Sequence, residues 1–297
     1  MIQVGRLGPA DVDAAAGILF DAFGAAYRRR GHAPPFPTRE SAAWLCRAYI
    51  DLDPEGCALA RSASEIVGVG FAHPRGAVTS IGPLASRPGA PAGVARALMH
   101  ELSDIAAGSS SVRLFQDSFN PDSFGLYTRL GYAVSDVAPY LLAEKLEPPA
   151  AGAAHPGVRP LVAADLPAVE RYDRSRTGAD RRRDLALLAS TGGGFIIPAD
   201  GRGEGIAGYL FYRALPARVV IGPAVAESAE ILAALVDGVA ASLPGRAAVI
   251  RASAAAPALL RRAFERGFLV DHLGNLMVRG PYVPPPAQLY ALFPESL

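Results

Sequence analysis

Two stretches carry residue types that could do chemistry. The first is Ile81-Gly82-Pro83-Leu84-Ala85-Ser86-Arg87-Pro88-Gly89-Ala90-Pro91-Ala92-Gly93-Val94-Ala95-Arg96, which reads as strand, loop and helix start. A loop of small residues opening a helix leaves backbone N–H groups unpaired beside the positive end of the helix dipole. That arrangement holds phosphate or pyrophosphate. Gly93 and Ala95 let an anion approach the backbone, and Arg96 adds a charge. A tightly packed strand-to-helix connection wants the same small residues, so the composition serves either purpose. The second stretch runs from Gln116 to Tyr132. Here Asn120 is a good N-cap, Pro121 suits the first helical position and Gly131 stops the helix. It puts the phenol of Tyr127 on a helix just after Asp117, at a strand end. Tyr127 shares its face with Phe124 and Gly131, which suits a core tyrosine. His73, before Pro74 at another strand end, is with Asp117 a candidate base. A satisfied loop histidine and a turn-capping aspartate are the structural alternatives.

The elements around them follow from periodicity. The first half reads as strand 2–7, helix 11–27, helix 39–50, strands near 57–61, 66–72 and 78–84, helix 92–107, strand 112–117, helix 121–130 and strand 132–145. Val94, Leu98, Leu102 and Ile105 give the helix at 92–107 one apolar stripe. The second half repeats the order: strand 158–161, helical segments within 165–189, strands near 195–197, 206–212 and 219–225, helix 227–242, strand 247–252, helix 257–266 and strand 268–278. Sequence echoes support a duplication. Val4-Gly5-Arg6-Leu7-Gly8-Pro9-Ala10-Asp11 parallels Val158-Arg159-Pro160-Leu161-Val162-Ala163-Ala164-Asp165 with one residue of slippage. Ile81-Gly82-Pro83 recurs as Ile221-Gly222-Pro223, and Pro257 precedes Gly267-Phe268 as Pro121 precedes Gly131-Tyr132. Glu147 to Pro156, rich in proline and small residues, reads as a linker. The expected organisation is therefore a domain over 1–146, a linker over 147–156 and a second domain over 157–297. The fold class is mixed α/β, with α+β character in its sheet.

Taken in order, these segments resemble the GNAT superfamily of N-acetyltransferases. The likeness covers Val4 to Lys145 by element order, and its specific part is 81–99 and 112–132, ending in Tyr127-Thr128-Arg129-Leu130-Gly131-Tyr132. The resemblance implies two GNAT-like acyl-CoA N-acyltransferase domains in tandem, with acetyl-CoA as co-substrate. It implies that Ala92, Gly93, Val94, Ala95 and Arg96 hold the pyrophosphate and that the strand at Leu84 and Ala85 pairs with the pantetheine arm. It also implies that Asn120 contacts the cofactor and Tyr127 protonates the departing thiolate. The family's Gln or Arg three residues before the loop glycine is Ala90 here, and Pro91 removes one N–H.

The second half departs further. Ala256 and Ala263 stand opposite Asn120 and Tyr127, and Glu227 and Glu230 lie where an anion loop belongs. This copy reads as a degenerate domain that walls off a cleft, recognises the acceptor, or merely packs. Acetyl transfer needs a neutral amine, so an ammonium of pKa ~10 must first lose a proton. A backbone N–H at Leu84 or Ala85 is the expected oxyanion donor. The acceptor is a small-molecule amine or a peptide. A catalytically silent acyl-CoA sensor or scaffold is the alternative, as is transfer of a longer acyl group.

Composition narrows the rest. The 297 residues suit two domains, and 51% apolar against 19% charged residues suits packed cores. With 29 basic and 28 acidic side chains, no nucleic-acid or membrane partner is expected. Cys46 and Cys57 make neither a disulfide framework nor a thiolate metal site. No metal is expected, and no apolar run reaches a membrane span. A cytoplasmic protein is expected, with an uncovered apolar face pairing as a homodimer. The arginines at 171, 174, 176 and 181–183 alternate with acids and read as a solvated surface. Arg28-Arg29-Arg30-Gly31-His32 reads as a basic helix end or an acceptor-side loop. In the tail, Leu289, Tyr290, Leu292 and Phe293 should dock in a groove as packing or close over a cleft.

Overall fold

A computed structural model describes residues 1–150, 152, 155–199 and 205–292. The first half contains β1 (Ile2–Arg6), α1 (Val12–Arg28), α2 (Arg39–Leu52), β2 (Cys57–Ser62), β3 (Glu65–Arg75) and β4 (Val78–Ser86). It continues with α3 (Val94–Ile105), β5 (Ser111–Asp117), α4 (Pro121–Arg129) and β6 (Ala133–Ala143). The second half contains β7 (Arg159–Pro160), α5 (Leu166–Thr177), α6 (Arg182–Thr191), β8 (Gly193–Pro198), β9 (Ile206–Ala214) and β10 (Val219–Ala226). After these come α7 (Ala229–Ser242), β11 (Ala248–Arg251), α8 (Pro257–Glu265), β12 (Leu269–Arg279) and β13 (Ala287–Leu289). The helical segments expected within 165–189 are α5 and α6, and Gly178 ends the first in the left-handed region (φ 74°).

The duplication is visible in local chemistry. Asp11 Oδ2 accepts from the Gly8 N–H at 3.1 Å, and Asp165 Oδ2 accepts from the Val162 N–H at 2.9 Å. The same two aspartates bind Arg61 (2.8 Å) and Arg159 (2.7 Å). A short 3-10 turn leads into α1 and into α5 at these points.

Two compact units result: Met1–Ala133 with Met277–Pro281, and Val134–Leu276 with Tyr282–Leu297. The division differs from the linker-based boundary. Val134 to Leu146 belongs to the second unit, where β6 pairs antiparallel with β11 from Tyr140↔Arg251 to Ala143↔Ala248. The end of β12 in turn belongs to the first unit, as the neighbour of β5. Both strands are apolar and follow a helix that ends in glycine, so sequence pattern cannot say which sheet takes which strand. Strand order is β1-β2-β3-β4-β5-β12 in the first unit and β12-β6-β11-β10-β9-β8-β7 in the second, where β13 also pairs with β10. The described residues of the proline-rich stretch 147–156 contain neither helix nor strand; Ala151, Ala153 and Ala154 lie outside the described residues.

In the first unit α3 buries Val94, Leu98, Met99 and Leu102 against the sheet. Two β3 glycines permit the approach. A Cβ on Gly68 would lie 2.5 Å from Val94 Cγ1, and one on Gly70 would lie 2.9 Å from Leu102 Cδ1. Phe71, next along β3, turns to the opposite face and meets Tyr49 of α2 edge-on at 5.2 Å. The second unit is layered in the same way. Leu210 joins the α7 core with Leu232, Leu235 and Val239, while Tyr209 and Phe211 join Val169, Leu185 and Leu188 of α5 and α6. Among the described residues, no helix is long and apolar enough to cross a membrane.

Candidate active site

The site begins where two parallel strands part. β4 and β5 pair from Val78↔Ser111 to Ile81↔Leu114 and no further, although β4 runs on to Ser86 and β5 to Asp117. Pro83 offers no N–H to a ladder, and the β3–β4 register shifts between Gly70 and Ala72 at this point. Beyond the shift β4 stays paired to β3, with Gly70↔Leu84 and Val69↔Ala85. The Arg87 N–H donates to Val67 O at 2.8 Å. Period-two alternation then turns the Ala85 amide toward β3 and the amides of Leu84 and Ser86 toward the gap. Of the two expected oxyanion donors, Leu84 is therefore the one that faces the opening.

At one side of this gap stands the N-terminus of α3. Gly93 is its N-cap in the left-handed region (φ 95°), no side chain caps it and its first turn holds no acid. Arg87, Gly89 and Ala90 shape the preceding turn, with the Ala90 N–H donating to Arg87 O at 2.9 Å. Ala92, Gly93, Ala95, Arg96 and Leu126 line an open depression of 430 Å³. Val94 is the exception among the expected contacts: its side chain is 1% exposed and belongs to the core, so only its backbone faces outward chemistry. Arg96 is exposed. Ser86 Oγ is buried without a hydrogen-bond partner.

At the other side, β5 delivers the second stretch. Asn120 caps α4, its Oδ1 accepting from the Ser123 N–H at 3.3 Å, so its carbonyl oxygen is engaged locally. Gln116, which the sequence did not single out, pins the turn. Its buried Nε2 donates to Asp117 O, Asn120 O and Ser123 Oγ at 2.5, 2.7 and 3.1 Å. Asp117 is half-buried and its Oδ2 accepts from the Tyr27 hydroxyl at 2.9 Å. Tyr127 is 8% exposed, next to pocket-lining Leu126, with the Tyr132 ring 6.2 Å away. Burial above all, with the charge of Asp117 and then Tyr132, pushes its phenol far above the usual tyrosine range.

His73 does something other than general-base chemistry. It is wholly buried, with Nδ1 2.7 Å from Asp53 Oδ2 and Nε2 3.1 Å from Gly82 O. Both ring nitrogens are engaged within the protein and the ring is wholly buried, so neither nitrogen is presented to an incoming amine. Arg75 donates to Asp53 Oδ1 and Oδ2 at 2.7 and 2.8 Å. Burial opposes the Asp53 charge, but hydrogen bonds and charges from His73 and Arg75 outweigh it and hold the carboxyl at about 2. His73 is a positioning residue: it ties β3 to the carbonyl of Gly82, where β4 changes register.

Residues 169–291 match the Acetyltransferase (GNAT) domain family. No curated protein matches the chain by sequence. A provisional acetyltransferase of Pyrococcus horikoshii superposes with a TM-score of 0.77 at 18% identity, covering 99% of this chain and 95% of that one. A GCN5-related N-acetyltransferase of Sphaerobacter thermophilus gives 0.66 at 17%, covering 96% and 98%. A tandem GNAT protein from the clavulanic acid biosynthesis pathway gives 0.61 at 15%, covering 95% and 100%. The chain is a tandem GNAT-fold protein. The family match supports acyl transfer as its general class of chemistry.

That match falls on the half of the chain whose mouth is filled. β10 and β11 also pair briefly, Val219↔Ala248 and Val220↔Val249, before parting. Into their gap runs β13, paired with β10 from Ala224↔Leu289 to Ala226↔Ala287 and bridged to Ala252 by Leu289. The Tyr290 N–H donates to Arg251 O at 2.9 Å. The helix start is occupied too: Ser228 Oγ caps α7 at the Ile231 N–H (3.3 Å), and Glu230 sits in its first turn. α8 has Ala256 as an uncapped N-cap and a wholly buried Ala263. The tail thus docks as a strand, which its three prolines at 284–286 hid from pattern reading. Leu289 and Tyr290 are each 2% exposed; Phe293 lies outside the described residues.

Proposed function

We propose that the first unit transfers an acetyl group from acetyl-CoA to a primary amine. One observation carries this reading: an uncapped, acid-free helix start opens beside parted strands whose free amides face the same gap. The site's orphan groups fit the ligand. The α3 first-turn N–H groups, with Gly93, Ala95 and Arg96, suit a pyrophosphate, and the amides of Leu84 and Ser86 suit an extended amide-bearing arm. Ser86 Oγ adds a buried polar atom in want of a partner. Pro91 supplies no N–H, so the cradle is built from Ala92 onward.

Acetyl-CoA supplies an activated acyl group. The ammonium first gives one proton to solvent; the neutral amine nitrogen then bonds to the carbonyl carbon, the carbon–sulfur bond breaks, and the nitrogen's second proton passes to solvent as the thiolate departs. The Leu84 N–H stabilises charge developing on the carbonyl oxygen. Tyr127 keeps its proton across the working range and donates a hydrogen bond to the departing sulfur; full transfer of its proton is uphill from so buried a phenol. Asp117, at the end of β5, attracts the incoming ammonium. A cytoplasmic location belongs to this reading, in keeping with two buried free thiols. The high-lying Tyr127 also favours a second reading, acyl-CoA binding without turnover.

Calorimetry of the whole chain with acetyl-CoA, followed by thiol release with amines, tests both. Binding with release supports transfer, binding without release supports the silent form, and absence of heat with every coenzyme A ester removes the site.

A further inference from the structure

Beside Asp117 the first unit carries an aromatic cluster that begins in the core at Tyr27 and Phe36 and reaches the surface through Phe23, His32 and Phe119. Tyr27, near the end of α1, donates to Asp117 Oδ2 at 2.9 Å and meets Phe119 edge-on at 5.0 Å and 87°. Phe119, two residues beyond Asp117, stacks on His32 at 5.0 Å and 25°. Phe23, one turn before Tyr27 on α1, lies 6.2 Å from the Tyr27 ring and 5.5 Å from Phe36. Tyr27 and Phe36 are buried, whereas Phe23, His32, Asp117 and Phe119 are only half-buried. A carboxylate thus stands in a bed of rings at the open end of β5. It is also close enough to Tyr127 for its charge to act on that phenol.

Three chemistries meet there. A carboxylate and aromatic faces both attract an ammonium. Partly exposed rings favour a planar apolar group, which stacks on them and is withdrawn from water. Arg28 at the end of α1, with Arg29 and Arg30 on the turn that follows, is exposed, and the three disfavour an acceptor with several positive charges. Resting on the transfer reading above, we propose that the acceptor is a primary monoamine on a short chain ending in an aromatic ring. Its ammonium is held by Asp117 and its ring by Phe119, His32 and Phe23. The Tyr27 hydroxyl fixes the carboxylate and so acts as a positioning residue. The arginines thus disfavour polyamines, while a small acidic amine lacks the ring and brings a carboxylate against Asp117.

The experiment separates this proposal from the transfer reading by measuring amine binding without acetyl-CoA. The whole chain is titrated with 2-phenylethylamine, spermidine and glutamate, and acetyl-CoA is titrated in parallel. 2-Phenylethylamine is expected to bind at least roughly 10-fold more tightly than the other two, about 1.4 kcal/mol. Phe119→Ala should erase that preference and Phe119→Tyr should keep it, with acetyl-CoA affinity and the melting temperature unchanged by the tyrosine. Asp117→Asn should weaken 2-phenylethylamine by a similar factor. Tighter binding of spermidine or glutamate overturns the proposal, as does an unaltered preference in Phe119→Ala. Aromatic amine binding with no acetyl-CoA binding upholds the pocket and removes the transfer reading; the converse result does the reverse.

Discussion

Two helix starts in this chain sit beside two parted strand pairs, and they have opposite fates. At α3 the N-cap is a left-handed glycine, the first turn lacks acid, and the β4–β5 gap is lined by amides with no strand among the described residues entering it. At α7 a serine hydroxyl satisfies the end, Glu230 follows, and β13 fills the β10–β11 gap. An orphan donor is costly when buried and useful when a ligand satisfies it. The second unit satisfies its donors with its own chain and so has nothing to offer an anion. The first leaves its α3 start without a side-chain cap. The family match to 169–291 thus falls on the unit whose mouth is filled, while the open donors lie in the other.

Substitutions at four positions break or sharpen that contrast. Gly93→Glu should weaken acetyl-CoA binding about 10³-fold or more, since a carboxylate then faces the pyrophosphate. Gly93→Ala separates the charge from the cost of any side chain at φ 95°, and calorimetry of both variants reads the difference. Leu289→Ala should destabilise the second unit by about 3 kcal/mol, because it empties a buried position between β10 and β11. Chemical denaturation should show this with acetyl-CoA affinity retained; a lost affinity would move the binding site to the second unit. Tyr127→Phe should lower kcat roughly 10²-fold and leave the KM for acetyl-CoA nearly unchanged. Unchanged turnover would confine Tyr127 to packing against Tyr132. The smallest effect is expected from Ser228→Ala, about 1 kcal/mol of stability and no new coenzyme A binding. If binding appeared on uncapping α7, the cap rather than β13 would be what silences that mouth.

Much of the first unit was legible in residue order. Asn120 before Pro121 announced the start of α4 and Gly131 its end, because capping is local chemistry. The stripe Val94, Leu98, Leu102 placed the buried face of α3, and the glycine at its start marked a helix without a side-chain cap. Gly68 and Gly70 carried a signal that went unread: alternate glycines in an apolar strand mean a close neighbour, here α3. His73 shows the opposite limit. Its type and its place at a strand end suggested a base, yet Asp53, twenty residues earlier, and the carbonyl of Gly82 take both nitrogens. Nothing at position 73 itself records those partners.

By itself the sequence determined the elements, their order, the twofold repeat and the open helix start at Gly93, since propensity, capping and periodicity act over a few residues. Only the tertiary structure decided which sheet received β6 and the end of β12, that the tail became a strand in the second gap, and that Tyr27 met Asp117 and Phe119. Those outcomes are pairings between segments far apart in the chain. Many apolar strands satisfy the same pattern, and the choice among them is made by register and by the shape of the space left to fill.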